Sequence, residues 1–337
     1  SNVRGIQTTA IYDATTEEFV IHTPNKGAIK WWIGNAALSG QVGTVFARLI
    51  TKGKDHGVHA FLVPLRDLKT HELCPGVIIG DCGEKNGLHG VDNGFIAFNQ
   101  VRIPRENLLN RFGDVLPDGT YTSPITSENR RFASLLGELI TGRASLSVNT
   151  MNTRRKATCI ATRYAHQRRQ FGPDADNEVP IISYPSTCVR IMPVIASCYA
   201  GEFALRAVLV KFTRLFEPKT EQSAKEKSET LAETHALISG LKAVLTTDTQ
   251  QSLHVLRECC GGHGYSAYCH IGSLANDNDI MQTYEGDNTV LIQQLGGYLL
   301  KKFSKQFKGN LIVDGLNFLK KQIGSAVVQR NPVITRV

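Results

Sequence analysis

The hydrophobic pattern of this 337-residue chain changes its period once, near residues 113–129, and this change limits the possible folds more than any other feature. Before it, short runs rich in Ile, Val, Thr, Phe and Trp are separated by turn residues, which is typical of β-strands. After it, apolar residues recur at helical spacing over long stretches. The segment itself holds Gly113, Pro117, Gly119 and Pro124 among polar residues, and is predicted to be a linker.

The first part of the chain predicts an antiparallel sheet or barrel. The predicted strands cover 6–12, 17–23, 28–33, 42–51, 57–65, 76–80 and 94–102. K-G-K-D-H-G at 52–57 lies between two of them and predicts a hairpin. Strands and helices do not alternate here, which disfavours a parallel, dinucleotide-binding sheet.

The second part predicts a four-helix bundle. A first helix carries Leu139, Leu146 and Ile160 on one face and is expected to end near Phe171 and Gly172. Further helices are predicted at about 186–216, with Pro193 inside, and at about 229–260, 287–306 and 314–328. Long helices joined by modest loops favour a bundle. The predicted fold class is therefore α+β, with an antiparallel β-barrel-like domain (1–112), the linker (113–129) and a C-terminal four-helix-bundle domain (130–308).

Composition excludes few functions. The hydrophobic content of 42% and charged content of 20% are those of an ordinary globular protein. No apolar run looks long enough to cross a bilayer, so membrane insertion is not expected. The net charge of +8 suits either nucleic acid or a polyanionic small molecule, and the scatter of basic residues disfavours nucleic acid. The cysteines lack C-x-x-C spacing, so buried thiols are preferred to a metal site; the weak candidate ligands are Cys259, Cys260, His263, Cys269 and His270.

One candidate catalytic residue is Glu285, in M-Q-T-Y-E-G-D-N at residues 281–288. A neighbouring aromatic side chain can strip water from a carboxylate, and the glycine after it permits close backbone approach. Those conditions favour a catalytic base. They are also met at ordinary helix starts, where an acidic residue faces the positive end of the helix dipole.

Three further motifs could contact a cofactor. Arg168 lies at a helix end before Phe171, where arginine can bind a pyrophosphate bidentately and phenylalanine can cover a flat ring. C-G-G-H-G-Y at 260–265 is either a glycine helix cap or a backbone surface for phosphate or isoalloxazine. W-W-I-G-N at 31–35 predicts either core or one wall of an aromatic cofactor site. The run R-R-K at 154–156 predicts a solvated helix face.

These motifs resemble those of one superfamily, in the same order. K-W-W-I-G-N, I-P-R-E-N-L-L, R-Y-A-H-Q-R-R-Q-F-G, C-G-G-H-G-Y and T-Y-E-G-D-N-T-V are similar to motifs of the acyl-CoA dehydrogenases and oxidases. G-A-I-K-W-W-I-G-N-A-A and N-R-F-G-D-V resemble the peroxisomal, plant-type long-chain oxidases. The resemblance implies a chain truncated at both ends, without the N-terminal helical domain. Residues 309–337 would then begin an incomplete second C-terminal helical domain.

The resemblance also implies a role for each candidate residue. Glu285 is the base that removes the α-proton of an acyl thioester. The implied FAD-binding residues are Trp32 and Gly34 beside the flavin ring, and Arg168, Phe171, Gly261 and Gly262 on the flavin of a neighbouring subunit. The implied substrate-binding residues are Ser1, Arg143, Tyr284 and Gly286.

The implied function is that of a peroxisomal, homodimeric, FAD-dependent acyl-CoA oxidase. It would convert long-chain acyl-CoA and O2 to trans-2-enoyl-CoA and H2O2, the first step of peroxisomal fatty acid β-oxidation. The basic surplus suits FAD and CoA, both of which are polyanions. Two alternatives stay open: a dehydrogenase that passes electrons to an electron-transfer flavoprotein, and a non-catalytic truncated or nucleic-acid-binding relative. Peroxide production separates the first two.

Overall fold

A computed structural model describes residues 2–135, 139–174, 176–214 and 224–306 of the chain. They form two compact units, one ending at Gly142 and the other beginning at Arg143. The domain limits predicted at 112, 129 and 308 stay predictions. The helix predicted at 314–328 and the segment 309–337 lie outside the described residues.

The first unit is built on two sheets. The larger has the strand order β5-β4-β1-β2-β8 and the smaller β3-β7-β6. Among the described strands, β1 and β4 pair in parallel and the other neighbours are antiparallel. The strands are β1 (Thr9–Asp13), β2 (Glu18–His22), β3 (Lys30–Gly34), β4 (Val42–Thr51), β5 (Lys54–Pro64), β6 (Val77–Asp81), β7 (Asn93–Phe98) and β8 (Val101–Pro104).

One hydrophobic core joins the two sheets. Side chains alternate across a strand, and β4 accordingly buries Val45, Ala47 and Leu49. The rings of Phe19 and Phe61 meet edge to face with centroids 5.0 Å apart, and the smaller sheet contributes Ile96, among others, to the same cluster. The predicted β-barrel-like module is therefore confirmed as two sheets packed on one core.

The predicted hairpin is confirmed, whereas one predicted strand is wrong. The β4–β5 turn holds Lys52 (φ 48°) and Gly53 (φ 72°) in the left-handed region that two-residue hairpin loops favour. The strand predicted at 94–102 is two strands, β7 and β8, in different sheets. The chain turns at Gln100 (φ 54°), where the sequence offers neither glycine nor proline as a signal.

The segment predicted as a linker contains its own local structure. Strands β9 (Asp114–Val115) and β10 (Tyr121–Thr122) form a short hairpin, and helix α1 (Glu128–Leu135) follows. The hairpin is tied to the sheets, because the hydroxyl of Thr51 donates to the Gly119 carbonyl at 2.7 Å.

The second unit confirms the predicted bundle of four long helices. These are α2 (Leu139–Gln167), which begins just before the unit, α3 (Pro185–Arg214), α4 (Ala224–Cys259) and α6 (Asn288–Gln306). A shorter helix, α5 (Ile271–Asp279), was not predicted. The first long helix ends at Gln167, earlier than expected, because the next residues form strand β11 (Arg169–Gln170), paired with β12 (Val179–Pro180).

Small residues let the helices approach closely. Ala157, Ala161 and Ala165 repeat every four residues along α2 and pack with Ile191 of α3 and Leu256 of α4. Arg154 lies on the same side of α2 and its side chain is 0% exposed, so the predicted solvated face is wrong for this residue. Arg155 and Lys156 are exposed, as predicted.

Helix α3 also corrects an expectation from composition. It is long and apolar enough to cross a membrane by length and composition alone, although no such segment was expected. It packs against α4 and buries Ile191, Val194 and Leu205 in the bundle.

Candidate functional site

The loop between α5 and α6 holds Glu285 in an unusual backbone conformation. Its φ of 57° lies in the left-handed region, which residues other than glycine seldom adopt. The loop ends where the Asp287 carboxylate accepts the backbone N–H of Thr289 at 2.9 Å and caps α6. Strained conformations of this kind persist only where the surrounding structure holds them.

Two buried cations hold this loop by its backbone. The Nε of Arg143, on α2, donates to the Glu285 carbonyl at 2.8 Å. The Nζ of Lys242, on α4, donates to the Gly286 carbonyl at 2.7 Å and to the Asn288 Oδ1 at 2.9 Å. The side chains of Arg143 and Lys242 are buried in the second unit.

The guanidinium of Arg143 lies in a polar pocket inside the bundle. Its Nη1 is 3.0 Å from the His235 Nε2 and donates to the Ser239 hydroxyl at 3.1 Å. Burial lowers the pKa of Arg143, and the Glu285 carboxylate acts in the opposite direction. The predicted binding of substrate by Arg143 stays a prediction; its contacts here are with the loop and the bundle interior.

One carboxylate oxygen of Glu285 lacks a hydrogen-bond partner among the described residues. This oxygen, Oε2, is buried. The neighbouring Tyr284 is 39% exposed, and partial burial followed by the Glu285 charge raises the pKa of its hydroxyl. A buried carboxylate oxygen with a free lone pair is suited to accept a proton from a substrate.

A second group of candidates lies at the end of α2. Arg168 is exposed, and its guanidinium has no hydrogen-bond or ion-pair partner in the part of the chain that the structure describes. Its neighbour Arg169 instead donates to the Glu178 carbonyl at 3.1 Å, across the β11–β12 hairpin. Phe171 is 75% exposed in the left-handed conformation (φ 58°). The adjacent arginines therefore differ: one supports the hairpin and the other is available to a ligand.

The C-G-G-H-G-Y motif forms a short 3-10 helix (Gly261–Tyr265) after α4, beside the end of α2. The hydroxyl of Tyr164 and the Nδ1 of His263 lie 3.3 Å apart. A Cβ on Gly264 would lie 2.1 Å from the Arg257 carbonyl oxygen, so this glycine is required by packing. A Cβ on Gly261 or Gly262 would meet no atom within 4 Å. The open backbone at these two positions leaves room for a ligand.

The remaining cofactor candidates, Trp32 and Gly34, lie in the first unit. The pairing of β3 with β7 shifts register between Lys30 and Ile33, and Trp32 adopts a φ of 65° within this irregularity. The bulge leaves its side chain 56% exposed, so the alternative of a core tryptophan is wrong for this unit. A Cβ on Gly34 would meet no atom within 4 Å.

The structure thus groups the candidates by unit. Arg143 contacts the Glu285–Gly286 loop, and Arg168 and Phe171 lie at the helix end beside the Gly261–Gly262 turn. No hydrogen bond or ion pair joins these two groups among the described residues. Ser1 lies outside the described residues.

Two residues that hold the loop, Lys242 and Asn288, were not predicted from the sequence. The sequence carries a signal for Lys242, because it is the one charged residue in the mostly apolar segment A-L-I-S-G-L-K-A-V-L at 236–245. An isolated charge on the apolar face of a helix is costly to bury, and it therefore marks a specific buried partner.

Comparison with known proteins identifies relatives of the whole chain. Residues 136–300 match the sequence profile of a family described as "Acyl-CoA oxidase, C-alpha1 domain". The chain is 50% identical, over 100% of its length and 48% of the relative, to peroxisomal acyl-coenzyme A oxidase 2 of Arabidopsis thaliana. It is 43% identical to peroxisomal acyl-coenzyme A oxidase 3 of Homo sapiens, over 91% of this chain and 44% of that one.

Solved structures give the same result. Acyl-CoA oxidase 1 of Arabidopsis thaliana has a TM-score of 0.83 at 38% identity, covering 92% of this chain and 46% of that one. Acyl-CoA oxidase-1 of Caenorhabditis elegans, solved with FAD and ATP, has a TM-score of 0.82 at 38% identity and covers 91% and 44%. The chain spans about half the length of the curated relatives it matches.

Proposed function

Because this chain belongs to the acyl-CoA oxidase family, we propose that the protein it forms part of is an FAD-dependent acyl-CoA oxidase. The reaction converts acyl-CoA, of long chain by the motif resemblance, and O2 to trans-2-enoyl-CoA and H2O2. The proposed location is the peroxisome, because the names of both curated relatives include the word peroxisomal.

The proposed assembly is a homodimer. An apolar row on α3 leaves surface for such a partner: Val189, Met192, Tyr199 and Phe203 are all exposed in the second unit.

The observation that carries the proposal is the buried, unpartnered Oε2 of Glu285 on a loop fixed by Arg143 and Lys242. The α-proton of a thioester is only weakly acidic, so its removal requires a base that is desolvated and held in place. Glu285 accepts this proton. FAD, when bound, supplies the acceptor for the hydride that leaves Cβ and passes the electrons to O2.

Each unit has residues that fit a part of FAD. In the first unit, Trp32 presents an exposed aromatic side chain and Gly34 has open space where a Cβ would stand. In the second unit, whose residues are proposed to contact the FAD of a neighbouring subunit, Gly261 and Gly262 have the same open space. Arg168 offers the pyrophosphate a guanidinium that has no partner among the described residues.

The test of the function is peroxide: the full-length protein, loaded with FAD and given acyl-CoA in air, is expected to release H2O2. A protein that reduces its flavin yet transfers the electrons only to an electron-transfer flavoprotein would be a dehydrogenase.

Arg168→Ala is expected to weaken the retention of FAD. The lost bidentate, charge-assisted contact corresponds to about 1.5–3 kcal/mol. The measurement is the flavin-to-protein ratio of the full-length protein after gel filtration. Arg169→Ala is the matched control, because Arg169 supports the β11–β12 hairpin and is expected to keep its flavin. Equal flavin content in Arg168→Ala and the wild type would contradict the assignment.

Gly262→Ala is expected to lower flavin content without lowering the stability of the apoprotein. The added methyl group meets no protein atom within 4 Å, so a change within about 0.5 kcal/mol is expected in the free energy of unfolding. Gly264→Ala is the contrasting variant, since its methyl group would collide with the Arg257 carbonyl and destabilise the fold. Thermal unfolding without FAD and flavin content with FAD separate the two effects. Full flavin content in Gly262→Ala would show that no cofactor approaches this turn.

A further inference from the structure

We propose that Lys242 is a positioning residue for the base: its ammonium group fixes the backbone that places the Glu285 carboxylate. This inference rests on the proposed function, in which Glu285 accepts the α-proton. Both acceptors of the Lys242 Nζ belong to the loop and to the first residue of α6, namely the Gly286 carbonyl at 2.7 Å and the Asn288 Oδ1 at 2.9 Å.

The position of the Glu285 carboxylate depends on this backbone. The Oε2 of Glu285 has no hydrogen-bond partner within the described ranges, so the left-handed backbone at φ 57° determines where the carboxylate lies. Arg143 holds the carbonyl of Glu285, and Lys242 holds the next carbonyl. Removal of Lys242 would leave only one of the two carbonyls tied to the bundle.

Asn288 extends the hold of α4 into the start of α6. Its Nδ2 donates to the Ala243 carbonyl at 3.1 Å and to the hydroxyls of Thr246 and Thr247, both at 2.9 Å. The side chain of Asn288 thus accepts from Lys242 and donates to the same helix. Helix α4 therefore fixes the loop at two successive points on the C-terminal side of Glu285.

A lysine in this place is not explained by the stability of the bundle. Its side chain is 0% exposed, and no carboxylate forms an ion pair with it among the described residues. Burial, followed by the charge of Arg143, lowers the pKa of Lys242 to about 8, while Asp287 and Glu285 act in the opposite direction. A buried cation without a direct counter-ion is costly, and an apolar residue of similar volume is often the more stable choice. The contacts with the loop supply the reason for its presence.

The test compares Lys242→Met, Lys242→Arg and Lys211→Met in the full-length protein with FAD. Lys211 is a matched control, because it bonds Glu233 between α3 and α4 at 2.5 Å and does not contact the loop. In Lys242→Met the rate of anaerobic flavin reduction should fall on the order of 10²-fold, with flavin content and the Kd of acyl-CoA within about threefold. Lys242→Arg, which keeps a charged donor, should recover part of the rate, and Lys211→Met should reduce its flavin at the wild-type rate.

A second measurement does not depend on activity. Amide hydrogen exchange in the peptide covering 280–291 should be faster in Lys242→Met than in the wild type, and unchanged in Lys211→Met. A Lys242→Met protein that reduces its flavin at the wild-type rate, or that shows unchanged exchange in this peptide, overturns the proposal. If Lys242→Met does not accumulate as folded protein, Lys242→Gln replaces it and the same outcomes apply. A wild type whose flavin no acyl-CoA reduces would contradict the proposed function instead, and the exchange measurement would still decide whether Lys242 holds the loop.

Discussion

Glu285→Gln in the full-length protein is expected to bind FAD and acyl-CoA and to leave its flavin almost unreduced. Glutamine keeps the shape of the side chain and a polar end group. Arg143 and Lys242 bind the backbone carbonyls of the loop, so the loop is expected to keep its conformation. It cannot accept the α-proton. Loss of a general base lowers a rate by a factor on the order of 10²–10⁴. The measurement is stopped-flow absorbance of the flavin after mixing with acyl-CoA under nitrogen.

Asp287→Asn provides the control for this variant. Asp287 lies two residues further along and caps α6 through the backbone N–H of Thr289. Asparagine caps helices as well as aspartate does. The expected loss is therefore only the interaction of the negative charge with the helix dipole, about 0.3–1 kcal/mol of stability. Flavin reduction is expected near the wild-type rate. A Glu285→Gln protein that reduces its flavin as fast as Asp287→Asn would place the base elsewhere.

Arg154→Met is expected to cause the largest loss of stability among the substitutions considered. The guanidinium of Arg154 lies inside the bundle and donates to the Thr249 and Ser197 hydroxyls at 3.0 and 2.8 Å and to the Leu245 carbonyl at 3.2 Å. It also pairs with Asp248 at 2.6 Å. Methionine fills much of the space but bonds none of these groups, and a loss of about 3–5 kcal/mol follows.

Arg155→Met is the matched control for Arg154→Met, one residue along the same helix. Arg155 pairs with Glu202 at the surface, and exposed pairs of this kind contribute about 0–1 kcal/mol. Urea denaturation followed by far-ultraviolet circular dichroism measures both variants. Similar midpoints for the two would mean that the buried network around Arg154 does not stabilise the bundle.

The periodicity of the sequence was sufficient to predict the main elements. Alternation along β4 and β5 and the turn residues between them predicted the hairpin, because side-chain direction and local turn chemistry decide this structure. The turn at Gln100 was not predictable in this way. No residue there demands a left-handed backbone, and the assignment of β7 and β8 to different sheets depends on pairing with distant strands.

The buried cations show which part of the site a single sequence can reveal. Arg154 lies at helical spacing from Met151 and Ala161, and Lys242 from Ile238 and Leu245, so each stands on a buried stripe. Position could therefore have predicted their burial. Their partners could not be predicted, because Lys242 bonds residues 286 and 288 across the bundle and Arg143 bonds residue 285.

The proposed function requires a carboxylate base and an FAD that together oxidise acyl-CoA with oxygen as acceptor. The most direct measurement is the visible absorbance of the purified full-length protein, titrated with long-chain acyl-CoA under nitrogen and then exposed to air. Bleaching of the flavin by acyl-CoA, followed by its return with one H2O2 formed for each flavin reoxidised, is the predicted result. A flavin that acyl-CoA does not bleach, or a reduced flavin that air reoxidises only slowly compared with its reduction by acyl-CoA, would contradict the proposed function.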